Sequence, residues 1–101
     1  MNLLPPEDVL RRVPKLGGAE KEKDPMVWVK FFNPAGSGTW LVTEFDGKDT
    51  FFGLAHIFES ELGYFSLTEL QSVRGPLGLG IERDLYFQPK PLSKARAENN
   101  M

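Results

Sequence analysis

Between Glu61 and Phe87 the densest group of charged side chains is the triplet Glu82-Arg83-Asp84. If the triplet lies on a strand, Glu82 and Asp84 share one face, because side chains alternate along a strand. Two carboxylates placed in this way could hold a divalent cation or act as an acid/base pair. With Glu44 as a third carboxylate and His56, the single histidine, as a base, these residues define the hypothesis of a small metal-assisted hydrolase or nuclease.

The same residues also have a simpler structural interpretation. Charged clusters in small domains are usually surface ion-pair networks of modest energy, and Arg83 can pair with Glu69 or Glu44. A histidine within an apolar strand is more often packed or half-exposed than catalytic. The chain has no cysteine, which excludes disulfides, thiolate metal sites and cysteine nucleophiles. We therefore expect no metal and no cofactor, and the sequence favours a protein that is not an enzyme.

Residues 74–80 contain three glycines, so this stretch is the natural place to look for a phosphate-binding loop. It lacks the Gly-Lys-Ser/Thr ending of a P-loop, and no strand before it or helix after it provides the context of a dinucleotide fingerprint. We interpret the stretch as a helix C-terminus, ended by Gly75-Pro76, that is followed by an irregular turn.

Aromatic side chains are a second source of function. Several could form stacking platforms for single-stranded nucleic acid, although core packing is the default for them: Trp28, Phe31, Trp40, Phe51, Tyr64 and Phe65. A stacking surface needs interleaved basic residues, and Lys30 is the only base in the first three predicted strands. A weak nucleic-acid-binding domain, using Lys30 and the tail residues Lys90, Lys94 and Arg96, is therefore a further alternative and nucleic acid is an unlikely partner.

Charge is distributed unevenly along the 101 residues, although the net charge is only −2 from 12 basic and 14 acidic residues. Between Thr39 and Val73 six acids face the single base Lys48, so this segment carries −5 and the remainder +3. Aromatic residues and arginine are typical anchors of protein interfaces. The candidate binding residues are Trp28, Trp40, Tyr64, Arg74 and Arg83.

The elements that position these residues follow from periodicity, capping and turn signals, and they predict an α+β fold. We expect a small three- to four-stranded, mainly antiparallel sheet with an N-terminal helix and a short helix after the fourth strand. In chain order the predictions are a helix over Leu4–Val13, strands over Met26–Phe32, Thr39–Phe45, Thr50–Phe58 and Leu62–Phe65, and a helix over Leu67–Val73 that begins at a Ser66/Glu69 capping box. Residues 81–87 form either a strand or a turn followed by a strand, and Pro89 and Pro91 make residues 88–92 extended.

Size and composition set the remaining bounds. The chain fits a single domain over residues 1–93, followed by a polar C-terminal tail over residues 94–101. No apolar run approaches the roughly 20 residues of a membrane span, and residues 1–8 lack the basic start and apolar core of a signal peptide. We expect a cytoplasmic protein with no membrane partner.

Several segments together resemble the bacterial domain of unknown function 2958 family from about Leu3 to Ser93. They are, in chain order, Trp28–Phe32, Trp40 with Thr43–Phe45, Phe51–Gly53, Glu61–Leu67 with Glu69–Leu70, Arg74–Leu79, Ile81–Phe87 and Pro89–Ser93. One departure is Gly80, where the family often has proline, so the loop before Ile81 is expected to be looser here. The resemblance implies a free-standing small domain associated with plasmids, integrative elements and phages, and it implies no activity.

From these observations we expect a protein-binding module encoded on a mobile element. It would dock an aromatic, acid-edged sheet face onto a protein partner, and counter-defence, by inhibition of a host nuclease or of a restriction or CRISPR component, is one concrete version. The sequence leaves the partner and the oligomeric state open.

Overall fold

Ten short helices and strands make up the described part of the chain, residues 3–75 and 78–101, in a computed structural model. In chain order they are α1 (Glu7–Leu10), β1 (Met26–Val27), β2 (Val29–Phe32), β3 (Thr39–Phe45), β4 (Thr50–His56), β5 (Ser60–Ser66), α2 (Leu67–Ser72), β6 (Glu82–Arg83), β7 (Lys90–Pro91) and α3 (Leu92–Glu98).

Two antiparallel sheets are formed by these strands. The larger has the order β5-β4-β3-β2-β6, and the smaller pairs β1 with β7. The predicted α+β class is confirmed, whereas the predicted count of three to four strands is too low. The additional strands β6 and β7 have only two residues each, which is too short for a period-two pattern to show in a sequence.

The predicted strand over Met26–Phe32 is divided at Trp28. Val27 pairs with Lys90 of β7, while Val29 pairs with Val42 of β3, so the two halves belong to different sheets. The backbone N–H of Trp28 still donates to the Val42 carbonyl at 2.9 Å, so the chain stays attached to β3 across the break.

The β4–β5 hairpin differs from its prediction at both strands. β4 ends at His56, and residues 57–59 form the turn instead of continuing the strand to Phe58. β5 extends over Ser60–Ser66 instead of Leu62–Phe65. Its register with β4 runs without a shift from Thr50–Ser66 to His56–Ser60.

Aromatic rings fill the core on one face of the large sheet. Phe51 is fully buried at the centre of this cluster, with ring centroids of Phe31, Phe45 and Phe65 at 5.4, 4.6 and 5.6 Å. Leu67 and Leu70 of α2 cover this face, together with Leu3 and Ile81. Burial of aromatic surface at this site is the main apolar contribution to folding.

A smaller apolar cluster covers part of the opposite face. Leu41 of β3, Leu54 of β4 and Val27 of β1 pack against Ala95 of α3, which is fully buried. The prediction of a polar tail over residues 94–101 therefore differs from the structure, because most of this segment is helical and contributes to a core. Its polar composition conceals a helix whose burial comes from tertiary packing.

Side chains anchor both ends of α3. The Asp24 carboxylate accepts hydrogen bonds from the Ser93 amide at 2.8 Å and the Ser93 hydroxyl at 2.6 Å. These bonds lower the pKa of Asp24. Near the other end, Glu98 pairs with Lys90 of β7, and the hydrogen bond from Lys90 lowers the pKa of Glu98.

The other helices are shorter than their predictions. α1 begins after Pro6 and ends at Leu10, so it covers only the middle of the predicted Leu4–Val13. α2 begins at the predicted cap, where the Ser66 hydroxyl accepts from the Glu69 amide at 3.0 Å, and it ends at Ser72. Pro76 and Leu77 of the predicted stop and glycine-rich turn lie outside the described residues.

Residues 81–87 combine both forms that the sequence left open. β6 covers Glu82–Arg83, and the chain turns directly afterwards at residues 85–86. Among the described residues, no helix combines the length and the apolar character needed to traverse a bilayer.

Candidate functional site

Glu44, the proposed third carboxylate of a metal site, is only 4% exposed within β3. Its two oxygens accept hydrogen bonds from the backbone N–H groups of Gly17 at 2.7 Å and Ala19 at 3.0 Å. These bonds attach the loop after Leu16 to the sheet and satisfy a charge that would be costly to bury unpaired. The position of Glu44 therefore indicates a structural role.

Glu82 and Asp84 lie at the opposite edge of the sheet from β5. Glu82 pairs in register with Phe32, and Asp84 forms an ion pair with Lys30 at 3.7 Å and accepts from the Tyr86 amide at 2.9 Å. The strand spacing puts Glu44 roughly 15 Å or more from Glu82. In residues 3–75 and 78–101 no group of three or more histidine and carboxylate side chains is placed to hold a metal.

His56 contacts Ser60 across the β4–β5 hairpin, with 2.8 Å between Nδ1 and the hydroxyl oxygen. A serine beside a histidine is also the first half of a hydrolase triad, in which a carboxylate orients the ring. Within the part of the chain that the structure describes, no carboxylate bonds to His56. The contact is a cross-strand pair that stabilises the hairpin.

Arg74 lies beside a cavity of about 580 Å³. Its Nη1 donates to the carbonyls of Gln71 at 2.6 Å and Val73 at 2.8 Å, so the side chain caps the end of α2. Glu82 also lines this cavity, whereas Glu44, Arg83 and Asp84 do not. The cavity therefore does not gather the carboxylates of the hydrolase hypothesis.

The two tryptophans proposed as interface anchors face inward to different degrees. Trp40 is 7% exposed and belongs to the aromatic core, so its ring is not presented to a partner. Trp28 is half-buried beneath Arg12, whose guanidinium lies 5.0 Å from the ring centroid. Arg83 pairs in register with Phe31 and is half-buried. Trp28 and Arg83 line one small cavity of about 80 Å³, which Trp40 and Arg74 do not line.

Tyr64 is the proposed aromatic anchor that is open to solvent, with 70% of its surface exposed, and Arg74 is exposed as well. Leu62, two residues before Tyr64 on the same face of β5, is 60% exposed. Phe52 lies opposite Tyr64 on β4, with 5.0 Å between the ring centroids. α3 does not reach this part of the sheet, so the two β5 side chains stand uncovered.

The turn of the same hairpin adds two apolar side chains. Phe58 is 92% exposed and Ile57 is also exposed, next to the acidic residues Glu59 and Glu61. We call the set of Ile57, Phe58, Leu62 and Tyr64, with the acids Glu59 and Glu61, the hairpin surface. A shallow cavity of about 470 Å³ lies at its tip, lined by both acids, Ala55 and the two turn residues.

The backbone of β5 is open along its outer side. In the described residues β5 pairs with β4 alone, so it forms one edge of the sheet. The Leu67 amide donates to the Asp49 carbonyl at 2.8 Å, which fixes the alternation of the ladder. Residues 61, 63 and 65 therefore bond to β4, and the N–H and C=O groups of Leu62 and Tyr64 point outward.

The electrostatic field at this edge is negative. Between Lys48 and Arg74 the sequence has four acids and no lysine or arginine. One of them, Asp49, accepts from the amide and the hydroxyl of Thr68, whereas Glu59 and Glu61 are exposed beside the apolar residues of the hairpin surface. A partner with positive charge is thus favoured at this surface.

Sequence reasoning identified Tyr64 but missed Leu62, Ile57 and Phe58. A signal for the last two was present, because two large apolar residues in a hairpin turn replace the polar residues that turns prefer. Leu62 carried no comparable signal, since a sequence pattern does not show which strand ends up at a sheet edge.

Comparison with known proteins gives one match. A family model described as a protein of unknown function (DUF2958) matches residues 6–99, nearly the whole chain, which confirms the resemblance seen in the motifs. No curated protein and no solved structure matches the chain.

Proposed function

Because the chain belongs to the domain of unknown function 2958 family, whose description assigns no activity, we propose its function from the geometry of the hairpin surface. The protein is a binding module that docks this surface onto a protein partner. The observation that carries the proposal is the exposure of Phe58, Leu62 and Tyr64 within one hairpin. Single exposed apolar residues are ordinary, whereas several grouped at one surface are typical of interaction sites.

The charge of the hairpin surface supports a basic partner. Leu62 and Tyr64 project from one face of β5, Glu61 projects from the other, and Glu59 lies in the turn, so the acids adjoin the apolar anchors at the strand and at the tip of the hairpin. Glu59 and Glu61 would attract a lysine- or arginine-rich surface and would disfavour an acidic one. Proteins that act on nucleic acids carry such surfaces, because lysine and arginine neutralise the phosphate backbone.

The concrete version of the proposal is counter-defence. The chain, encoded on a mobile element such as a plasmid, an integrative element or a phage, binds a host nuclease or a restriction or CRISPR component in the cytoplasm and inhibits it. The complementary charge of a nucleic-acid-binding surface supports this version. It makes inhibition competitive with the nucleic acid, so excess DNA or RNA substrate is expected to relieve it.

The two alternative functions have weaker geometric support. The hydrolase hypothesis needs Glu44, Glu82 and Asp84 in one cleft, and Glu44 is instead bonded to a loop far from the other two. The nucleic-acid hypothesis needs accessible bases. Lys94 and Arg96 are exposed on α3, whereas Lys30 and Lys90 are engaged in ion pairs with Asp84 and Glu98.

A pair of matched variants tests the proposed function. The double variant Leu62→Ser/Tyr64→Ser removes two anchors of the hairpin surface, and Leu85→Ser/Tyr86→Ser removes a leucine and a tyrosine that are more exposed and lie near the other sheet edge. A partner captured from host extract is purified and the complex is rebuilt from the two pure proteins. We expect the first variant to lose the complex and the second to keep it. Equal binding by both variants would refute a role for the hairpin surface.

A further inference from the structure

We infer that the partner binds by adding a strand to β5, and that this strand is an extended segment in which basic and apolar residues alternate. The inference rests on the proposed function and specifies how the partner docks. In this mode main-chain hydrogen bonds supply affinity and alternate side chains supply specificity.

The first argument comes from the backbone of β5. The outward N–H and C=O groups of Leu62 and Tyr64 form a regular template, because β5 has seven residues and an unshifted register with β4. A strand at a sheet edge presents such groups for pairing with another chain. Gly63 lies between them, and a Cβ at this position would have no atom within 4 Å, so the sheet face above Gly63 is uncovered.

The second argument is that β5 lacks the features by which edge strands usually prevent pairing. Such edges are short, bulged, or carry proline or lysine. β5 has no proline and no lysine, and the bulge of this sheet lies between Val42 and Glu44 in β3, two strands away from β5. Only Glu61 puts a charge within the strand, and an acid of this kind selects for a basic partner strand.

The third argument concerns the two faces that an added strand would meet. Leu62 and Tyr64 project from one face, and Glu61, directly before Leu62 in sequence, projects from the other. A strand with apolar residues on the first face and lysine or arginine on the second would match both. A second copy of this chain fits poorly, because each copy brings acids without a lysine or arginine between residues 49 and 73.

The test uses a defined probe and the full chain. The probe is a capped peptide of about seven residues that alternates lysine and valine, a length that matches a typical strand. The matched control peptide alternates glutamate and valine. We expect the lysine peptide to bind and to slow hydrogen exchange at the Leu62 and Tyr64 amides, whereas the glutamate peptide does neither. Because this hydrogen-exchange measurement uses the unsubstituted chain, its result does not depend on whether a variant folds correctly.

Two substitutions at Leu62 then separate backbone pairing from side-chain docking. Both Leu62→Pro and Leu62→Ala remove the leucine, but only proline also removes the outward N–H. The N–H of Leu62 does not bond to β4, so proline at this edge leaves the ladder intact. We expect Leu62→Pro to bind the lysine peptide about ten-fold more weakly than Leu62→Ala, the usual effect of one lost hydrogen bond.

The possible outcomes are distinct. Equal binding by the two Leu62 variants, or an absence of amide protection, overturns strand addition and leaves the proposed function standing if Leu62→Ser/Tyr64→Ser still loses its partner. Equal binding of both peptides overturns the basic partner. Concentration-dependent dimerisation of the chain alone, with the same two amides protected, would make a second copy the occupant and also overturn the inference.

Discussion

The two edge strands of the large sheet, β5 and β6, end the sheet in different ways. β5 is seven residues long and exposes Leu62 and Tyr64, with acids nearby and no base. β6 has two residues and is followed by a turn that Asp84 holds through its bonds to Lys30 and to the Tyr86 amide. The β6 edge is closed by this turn, whereas the β5 edge presents a regular row of outward backbone N–H and C=O groups.

This difference between the two edges, and not sequence similarity, is the reason that the binding role is proposed for β5. The motifs that identify the family are densest between Glu61 and Phe87, a segment that includes both edges. Only the β5 end of that segment combines open backbone, apolar anchors and charge of one sign. An open edge is an aggregation hazard, so its retention is easiest to understand if a partner uses it.

The largest expected effect compares two glycines that pair across β4 and β5. A Cβ on Gly53 would lie 1.9 Å from the Leu41 carbonyl oxygen, whereas a Cβ on Gly63 would meet nothing within 4 Å. We expect Gly53→Ala to lower the free energy of unfolding by more than about 4 kcal/mol or to prevent folding, and Gly63→Ala to change it by under about 0.5 kcal/mol. Denaturant unfolding measures both. A strongly destabilised Gly63→Ala would contradict an uncovered sheet face at Gly63.

The next prediction compares neighbouring residues of β5 that face opposite ways. Phe65 packs on Phe51 in the core, and Tyr64 is exposed. We expect Phe65→Ala to cost about 3–5 kcal/mol of unfolding free energy and Tyr64→Ala under about 1 kcal/mol. Partner affinity, measured under conditions where both variants are folded, should fall mainly with Tyr64→Ala. If Phe65→Ala lowered partner affinity more than Tyr64→Ala, the β5 side chains would affect binding through the stability of the fold and not through contact with the partner.

Whether a helix or strand can be predicted from the sequence depends on its length and on how far its stability comes from contacts with residues distant in sequence. β3 and β4 are predicted because runs of β-branched and aromatic residues long enough for a strand flank the Asp46-Gly47 turn signal, and the Ser66 cap follows directly from its spacing to Glu69. β6 and β7 are not, since two residues carry no period. α3 was missed because its stability depends on contacts of Ala95 with distant strands.

The candidate site was predictable only in part for the same reason. Tyr64 was identified by residue type, whereas the burial of Trp40 and the exposure of Leu62 depend on which strands become central and which become edges. Glu44 was selected for its chemistry, and its two bonds to the loop after Leu16 are long-range contacts that no local pattern encodes.

A smaller effect is expected at the β6 edge. Asp84→Ala removes the ion pair with Lys30 and the bond from the Tyr86 amide. Both side chains of the pair are partly exposed, so we expect a loss of about 1 kcal/mol in unfolding free energy. Partner affinity, measured by titration calorimetry, should stay unchanged. A loss of affinity without a loss of stability would transfer the binding role to β6.

The smallest effect is a pH dependence at α3, which covers the sheet face next to β5. The pKa of Asp24 and the pKa of Glu98 are lowered in the folded chain by hydrogen bonds from Ser93 and Lys90. A lowered pKa gives stabilisation that is complete above the ordinary carboxyl pKa and is lost as the pH falls below about 4. Melting temperatures between about pH 7 and pH 3 should fall less steeply in Asp24→Asn/Glu98→Gln than in the unsubstituted chain. Parallel curves would exclude this contribution.

The most direct test of the binding account is titration calorimetry of the purified partner against two tyrosine variants. Tyr64→Ala changes the β5 edge, and Tyr86→Ala changes an even more exposed tyrosine, at 90%, beside β6. We predict that Tyr64→Ala weakens the complex by about ten-fold or more, as interface anchors do, and that Tyr86→Ala leaves it unchanged. An unchanged affinity for Tyr64→Ala, or an equal loss for both variants, would contradict the account.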